Sequence, residues 1–241
     1  MASKVTEERE CRVPFKIVEG GVTAAKGFRA SAVTCGIKNP EATRLDLALI
    51  VSDTPTVTDA VFTTNKVRAG CVRVCQQHIK ESDTRAIIAN SGNANACTGV
   101  QGIQDAKAMT KAVAEEIGVK MRQVLVCSTG IIGMPLPIER ILPKVPAAVA
   151  KLNDKGSDDA MRAIMTSDTR PKTFAVEVPV GKNGSFRIGG ICKGAGMICP
   201  NMATMLCFIT TDAKVAKDEM KRSMRYAVEK SFNCITIDGD T

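Results

Sequence analysis

The sequence predicts the α/β class, in the broad sense that includes α+β, with sheets stacked in layers. Three observations lead there. Strand-length runs rich in β-branched residues recur along the chain, helical periodicities fall between them, and a hairpin signal joins two of the runs. The runs are LDLALIVSD (45–53), DAVFTTN (59–65), RAIIAN (85–90) and QVLVCS (123–128). TFAVEVPV (173–180), SFRIGGIC (185–192), TMLCFITTD (204–212) and NCITID (233–238) complete the series. KNG at 182–184 has the small, turn-forming composition of a tight hairpin, so part of a sheet should be antiparallel.

Helices fill the gaps. In QDAKAMTKAVAEEIG, Met109, Ala112, Val113 and Ile117 recur on one face, and Gly118 supplies a stop. A second helix is expected over 138–152, kinked or split by Pro143 and Pro146, because proline lacks the N–H that the helix interior needs. Ser157 reads as an N-cap, with Asp158 and Asp159 in an acidic first turn, for a helix through Met165. A long amphipathic helix follows over 217–232, with Met220, Met224, Ala227, Val228 and Ser231 along one stripe. No repeat or low-complexity linker divides the chain.

Composition bounds the function. The 241 residues are 44% hydrophobic and 24% charged, enough for a sizeable core. No apolar run reaches the roughly 20 residues that a membrane-spanning helix requires. The opening MASKVTEERECRVPF is charged from the start, unlike a signal peptide, so a cytoplasmic protein is expected. The ten cysteines form no CxxC pair and many sit among Val, Ile, Leu and Met, which suits buried thiols better than a metal site. With His78 as the single histidine, a zinc centre has few ligands. The net charge of +8 fits an anionic partner such as a carboxylate substrate. Aromatics at 3% and the lack of a dense basic tract argue against nucleic acid.

Four polar, glycine-bearing loops lie beside strand ends: NSGNANACTG (90–99), STGIIG (128–133), TSDTRPK (166–172) and KGAGMICPNMAT (193–204). Each also reads as ordinary turn chemistry, since Asn, Gly, Ser and Thr favour turns by themselves. No GxGxxG stands between a strand and a helix, and no GxxxxGK[ST] occurs, so a phosphate cradle has little support. A histidine-based triad would have to use His78, in VCQQHIKES, which reads as an exposed helix or strand end. A hydroxyl nucleophile without histidine can use its own α-amine as base if the preceding peptide bond is cut. Thr204 follows the small Ala203, which leaves its Oγ room to reach the Ala203 carbonyl. Such chemistry needs an oxyanion hole, for which Thr129 and Gly130 are candidates, and Lys193 can bring positive charge to the nucleophile. Taken alone, Thr204 reads better as an ordinary strand-starting threonine.

GVTAAKGF (21–28), NSGNANACTG, STGIIG, MTSDTRPK and above all KGAGMICPNMATMLCFITTD resemble the ornithine acetyltransferase (glutamate N-acetyltransferase) family of arginine biosynthesis. The resemblance runs from about Val22 through SFNCITIDGDT at the end, with the motifs in the family's order. It implies a layered α/β sandwich of mixed sheets, similar in spirit to the N-terminal-nucleophile hydrolases but with its own topology. It implies acetyl transfer from N-acetylornithine to glutamate, with acetyl-CoA as a substrate of some members and no resident cofactor. It also implies self-cleavage between Ala203 and Thr204 into segments 1–203 and 204–241, which stay associated in an α/β heterotetramer. Matched position by position, Thr204 is the nucleophile that becomes acetylated, Thr129 and Gly130 form the oxyanion hole, and Lys193 and Thr166 bind substrate. Ser167 and Ala195 depart from the common threonine and serine. Family members also continue well over a hundred residues beyond the final DGDT, where further substrate ligands lie. A catalytically incompetent short member and a related N-terminal-nucleophile aminopeptidase are the competing expectations.

Overall fold

The computed structural model describes residues 13–81, 83–182, 184–201 and 204–240. Its strands form two four-stranded sheets. The first is built from β2 (Phe28–Val33), β3 (Leu47–Thr56), β4 (Thr84–Asn93) and β5 (Val124–Ile131), in that order. β2, β3 and β4 are antiparallel, whereas β4 and β5 run parallel. The parallel step requires a crossover, which α2 (Gly99–Ile117) supplies. The second sheet is antiparallel throughout, with β1 (Lys16–Ile17) beside β6 (Lys172–Val180), then β7 (Gly184–Lys193) and β8 (Leu206–Thr211). The sequence therefore yields a layered α/β fold with one mixed and one antiparallel sheet.

The alternation in β3 shows how the layers are specified. Leu47, Leu49 and Val51 point to one side, where they pack with Val74 and Cys75 of α1 (Gly70–Glu81) and with Met109 and Val113 of α2. Ile141 of α3 (Ile138–Ile141) and Val145 of α4 (Val145–Ala150) join the same core. Ala48 and Ile50 point the other way, with Ala30, Ala32 and Ala89, onto α5 (Ser157–Ile164) and onto Ile191 and Phe208 of the second sheet. The small alanines let α5 lie close between the two sheets. The far face of the second sheet leaves Ile17, Phe174, Ile188 and Ile209 exposed.

Several expectations hold. The 104–118 periodicity lies on α2, with Met109 and Val113 buried and Gly118 at its C-cap in the left-handed region (φ 68°). The 138–152 segment breaks into α3, a 3-10 turn at Leu142–Lys144 and α4, as its prolines require. β6 and β7 form the hairpin, although Asn183 of its turn lies outside the described residues. The amphipathic 217–232 segment is α6 (Lys217–Glu229) followed by a 3-10 turn.

Other expectations fail. Residues 59–65 join no ladder, and Thr63 instead turns the chain by accepting the Asn65 N–H (3.2 Å). Residues 233–238 also form no strand, since the Ile237 N–H is given to Ile198 O (2.9 Å), outside any sheet. Ser157 is the first residue of α5 rather than its cap, because its Oγ accepts the Val22 N–H (3.1 Å) and pins the 21–23 turn. His78 does lie at a helix end, in the last turn of α1, but it is buried rather than exposed (4%), with Nδ1 donating to Val124 O (2.8 Å). One turn earlier on α1, the Cys75 thiol donates to Val126 O (3.0 Å) and accepts from Val126 N (3.1 Å). Together the two side chains satisfy the free edge of β5, which an unprotected strand would offer to another chain.

Candidate functional site

The candidate site lies where the two sheets face each other. β7 ends at Lys193, pairs there with Leu206 of β8, and between them a loop carries the chain through Thr204. From the opposite sheet, Thr129 and Gly130 stand near the end of β5, in parallel register with Ser91 and Gly92 of β4. STGIIG is thus strand through Ile131, and the loop begins later than its composition suggests.

Lys193 joins the two sheets. Its side chain is buried, and its ammonium donates to Thr129 Oγ (3.3 Å) and to the Thr204 carbonyl (3.0 Å). Burial pushes the Lys193 pKa below the usual lysine range, and the Asp168 carboxylate acts against that fall. The Thr204 hydroxyl faces the carbonyls of Gly196 (2.8 Å) and Met197 (2.6 Å), to one of which its single proton is given. Thr204 has φ 54°, in the left-handed region that a β-branched residue rarely occupies. Its neighbour Ala203, expected at the cleavage point, lies outside the described residues.

Gly130 has φ 137°, and a Cβ there would lie 2.3 Å from the Gly92 carbonyl carbon and 2.5 Å from Asn93 N. Only glycine lets β4 and β5 approach this closely beside Thr129. Thr166 is tied to the same assembly through Asp168. The Asp168 Oδ2 accepts the Thr166 N–H (3.2 Å), while Oδ1 accepts the Gly194 N–H (2.8 Å) and pairs with the Lys172 ammonium (2.6 Å). Burial raises the carboxyl's pKa, but the Lys172 ion pair and the two N–H donors outweigh it and hold Asp168 below the usual carboxylate range.

Asp168 and Lys172 stand in the MTSDTRPK loop, whose sequence pattern alone implies no role for either. The signal available was an acid followed four residues later by a base. Two other residues carry no local signal at all. Arg44 donates to Met165 O (2.5 Å) and Ser91 Oγ (3.4 Å), linking the approach to Thr166 with the strand beside Thr129. Asp238 accepts the N–H groups of Met197 (2.6 Å) and Ile198 (3.0 Å), fixing the loop whose carbonyls receive the Thr204 hydroxyl. Neither could be placed from local pattern, because each acts across a long sequence separation.

The ArgJ family model matches residues 29–241. The chain belongs to the ArgJ family. Among curated relatives, the arginine biosynthesis bifunctional protein ArgJ of Geobacter sulfurreducens is 53% identical over 215 residues, 89% of this chain and 54% of the relative. The ArgJ of Thermosynechococcus vestitus is 48% identical over 225 residues, covering 93% of this chain and 53% of its own length. The chain therefore spans about half the length of the curated ArgJ proteins it matches. Two crystal structures share the fold. The ArgJ of Bacillus halodurans superposes with a TM-score of 0.73 at 38% identity, over 79% of this chain and 98% of that one. Ornithine acetyltransferase complexed with ornithine, from Mycobacterium tuberculosis, gives a TM-score of 0.72 at 39% identity, over 79% of this chain and all of that one. Within the ArgJ fold described above, no helix among the described residues is long and apolar enough to cross a membrane.

Proposed function

We propose that this chain is a self-processing acetyltransferase of arginine biosynthesis. It moves an acetyl group from N-acetylornithine to glutamate through an acetyl ester on Thr204, with acetyl-CoA as a second donor. The observation that carries the reading is the Lys193 ammonium bridging Thr129 Oγ and the Thr204 carbonyl between the two sheets. Because Thr129 Oγ accepts from Lys193, its own O–H proton is left for an oxyanion, which is the polarity an oxyanion hole needs. The lengths of the relatives support processing. The crystallised chains are covered almost completely by 79% of this chain, whereas the curated proteins are covered over only 53–54%. The crystallised chains are thus about half the length of the curated ones, as a protein cut near its middle would be.

In the first stage Thr204 Oγ attacks the Ala203 carbonyl carbon, its proton passes to the departing Thr204 nitrogen, and the acyl group shifts from N to O. Water hydrolyses that ester and leaves Ala203 with a carboxylate and Thr204 with a free amine. The left-handed backbone at Thr204 favours the cut, since the strain, about 1–3 kcal/mol, is relieved once the peptide bond no longer fixes φ. In the second stage the Thr204 amine takes the hydroxyl proton as Oγ attacks the acetyl carbonyl of N-acetylornithine. Thr129 O–H and Gly130 N–H stabilise the tetrahedral oxyanion, and the proton leaves with the ornithine amine. Glutamate's amine then attacks the acetyl ester, and Thr204 Oγ recovers its proton. Lys193 and Thr166 hold the amino-acid substrates. The two segments remain one structural unit and assemble as an α/β heterotetramer.

One specific observation favours a second reading, a processed but inactive segment: the chain spans only about half of its relatives' length. Intact-mass analysis of the purified chain, combined with transfer of labelled acetyl from N-acetylornithine to glutamate, separates the cases. Cleavage between Ala203 and Thr204 with turnover supports the acetyltransferase. Cleavage without turnover selects the inactive segment, and peptide hydrolysis without acetyl transfer selects an aminopeptidase. An uncut, correctly folded chain without turnover overturns the proposal.

A further inference from the structure

We propose that Asp168 is a positioning residue that ties the Thr166 loop to the Lys193–Gly194 turn and so holds the substrate-binding lysine at the nucleophile. The inference rests on the functional reading above, and it assigns a part to a residue outside the expected site. Asp168 lies four residues past the end of α5, and its side chain is fully buried. A buried carboxylate without partners would be strongly unfavourable, so its bonds define what it organises. One oxygen takes the Gly194 N–H immediately after Lys193 and the Lys172 ammonium from the start of β6. The other takes the Thr166 N–H. Three separate stretches, 166, 172 and 193–194, therefore meet on one carboxylate.

The arrangement also sets the charge on Lys193. The ionisable groups around that ammonium are Asp168, Lys172 and Cys192, in addition to the neutral Thr129 hydroxyl and Thr204 carbonyl. Burial and Lys172 favour the neutral amine, while Asp168 and Cys192 favour the ammonium. Asp168 accordingly favours the Lys193 ammonium against the burial that disfavours it, and Lys172, paired with the same carboxylate, works in the opposite direction. After cleavage the new Thr204 amine enters the same field, so a charged Lys193 helps keep that amine neutral and able to accept a proton.

The test compares wild type, Asp168→Asn and Lys172→Met by competitive amine labelling of Lys193 across pH, read by mass spectrometry, together with acetyl transfer and self-cleavage. Asn keeps the shape and an acceptor for the Gly194 N–H but removes the charge. In Asp168→Asn the labelling midpoint of Lys193 is expected to move to lower pH, and kcat/KM to fall on the order of 10–100-fold, mainly through KM. In Lys172→Met the midpoint is expected to move to higher pH. Opposite shifts from the two partners of one ion pair are not produced by general loosening of the fold. Unchanged Lys193 midpoints in both variants, or shifts of the same sign, overturn the proposal. If Asp168→Asn fails to fold, the Lys172→Met shift decides alone. Absence of acetyl transfer in the wild type would count against the functional reading, whereas the labelling still decides the role of Asp168.

Discussion

The left-handed backbone at Thr204 makes a prediction opposite to the usual ranking of residues. At most positions replacing glycine by alanine stabilises a protein, by about 0.4–1 kcal/mol, because glycine has more conformational freedom to lose on folding. At φ 54° a residue with a Cβ suffers a steric cost of roughly 1–2 kcal/mol that glycine escapes. Thr204→Gly and Thr204→Ala both remove the hydroxyl, so the hydrogen bond to the Gly196 or Met197 carbonyl is lost from each and cancels in the comparison. On the proposed mechanism both also leave the chain uncut, so two intact proteins are compared. At the middle of both ranges the difference leaves the glycine variant more stable by about 0.8 kcal/mol. For a chain of this size that is a Tm higher by roughly 1–4 °C. Differential scanning calorimetry of the two variants under identical conditions reads it directly. A Thr204→Ala protein as stable as Thr204→Gly, or more so, would refute the strained backbone and with it the argument that strain assists the cut.

Three further outcomes follow from particular contacts. Gly130→Ala would drive a methyl group into the Gly92 and Asn93 backbone, so it should destabilise the chain by about 1–3 kcal/mol in urea unfolding and abolish self-cleavage seen by intact mass. Cys75→Ala should lower stability by about 1–3 kcal/mol, since the Val126 N–H and C=O lose their buried partner; Cys75→Ser, measured in parallel, should restore most of it. Asp238→Ala should slow cleavage at Ala203–Thr204 and expose 194–201 to limited proteolysis, because Met197 and Ile198 lose the acceptor that fixes their loop. Proteolysis of that loop at the wild-type rate would show that Asp238 does not hold it.

The parts of the fold legible in the sequence were those written in local pattern. β3 shows its two faces in alternating residues, α2 shows its stripe and its terminal glycine, and the prolines at 143 and 146 break the helix where they stand. The strand β2, FRASAV, was not legible, because its inward positions are alanines whose value is closeness to α5 rather than hydrophobicity. α1 was hidden for a related reason. Its buried stripe runs Cys71, Val74, Cys75 and His78, so two small thiols and a polar ring stand where larger aliphatic side chains would make the helical period plain. At the site, the motif residues Thr129, Lys193 and Thr204 converge, and Thr166 is tied to them through Asp168. That link depends on β6 and β7 being neighbours, a tertiary fact that no window of sequence contains.

The same topology explains why a cut before Thr204 need not separate the two segments. The β7–β8 ladder runs from Ile188 paired with Thr211 to Lys193 paired with Leu206, so it begins two residues after the proposed cut and loses none of its backbone bonds. Phe208 stays buried against α5 and the first sheet, and Thr210 Oγ still donates to Val22 O (2.7 Å), near the other end of the chain. On the far side of the cut, the loop ahead of it is held by residues that follow it. Asp238 takes the Met197 and Ile198 N–H groups, and Asn233 Oδ1 takes the Asn201 N–H (3.1 Å). Each segment thus carries the partners of the other on both flanks of a single strained threonine. Cleavage there can free an amine at Thr204 while the Lys193–Thr129 bridge beside it stays assembled.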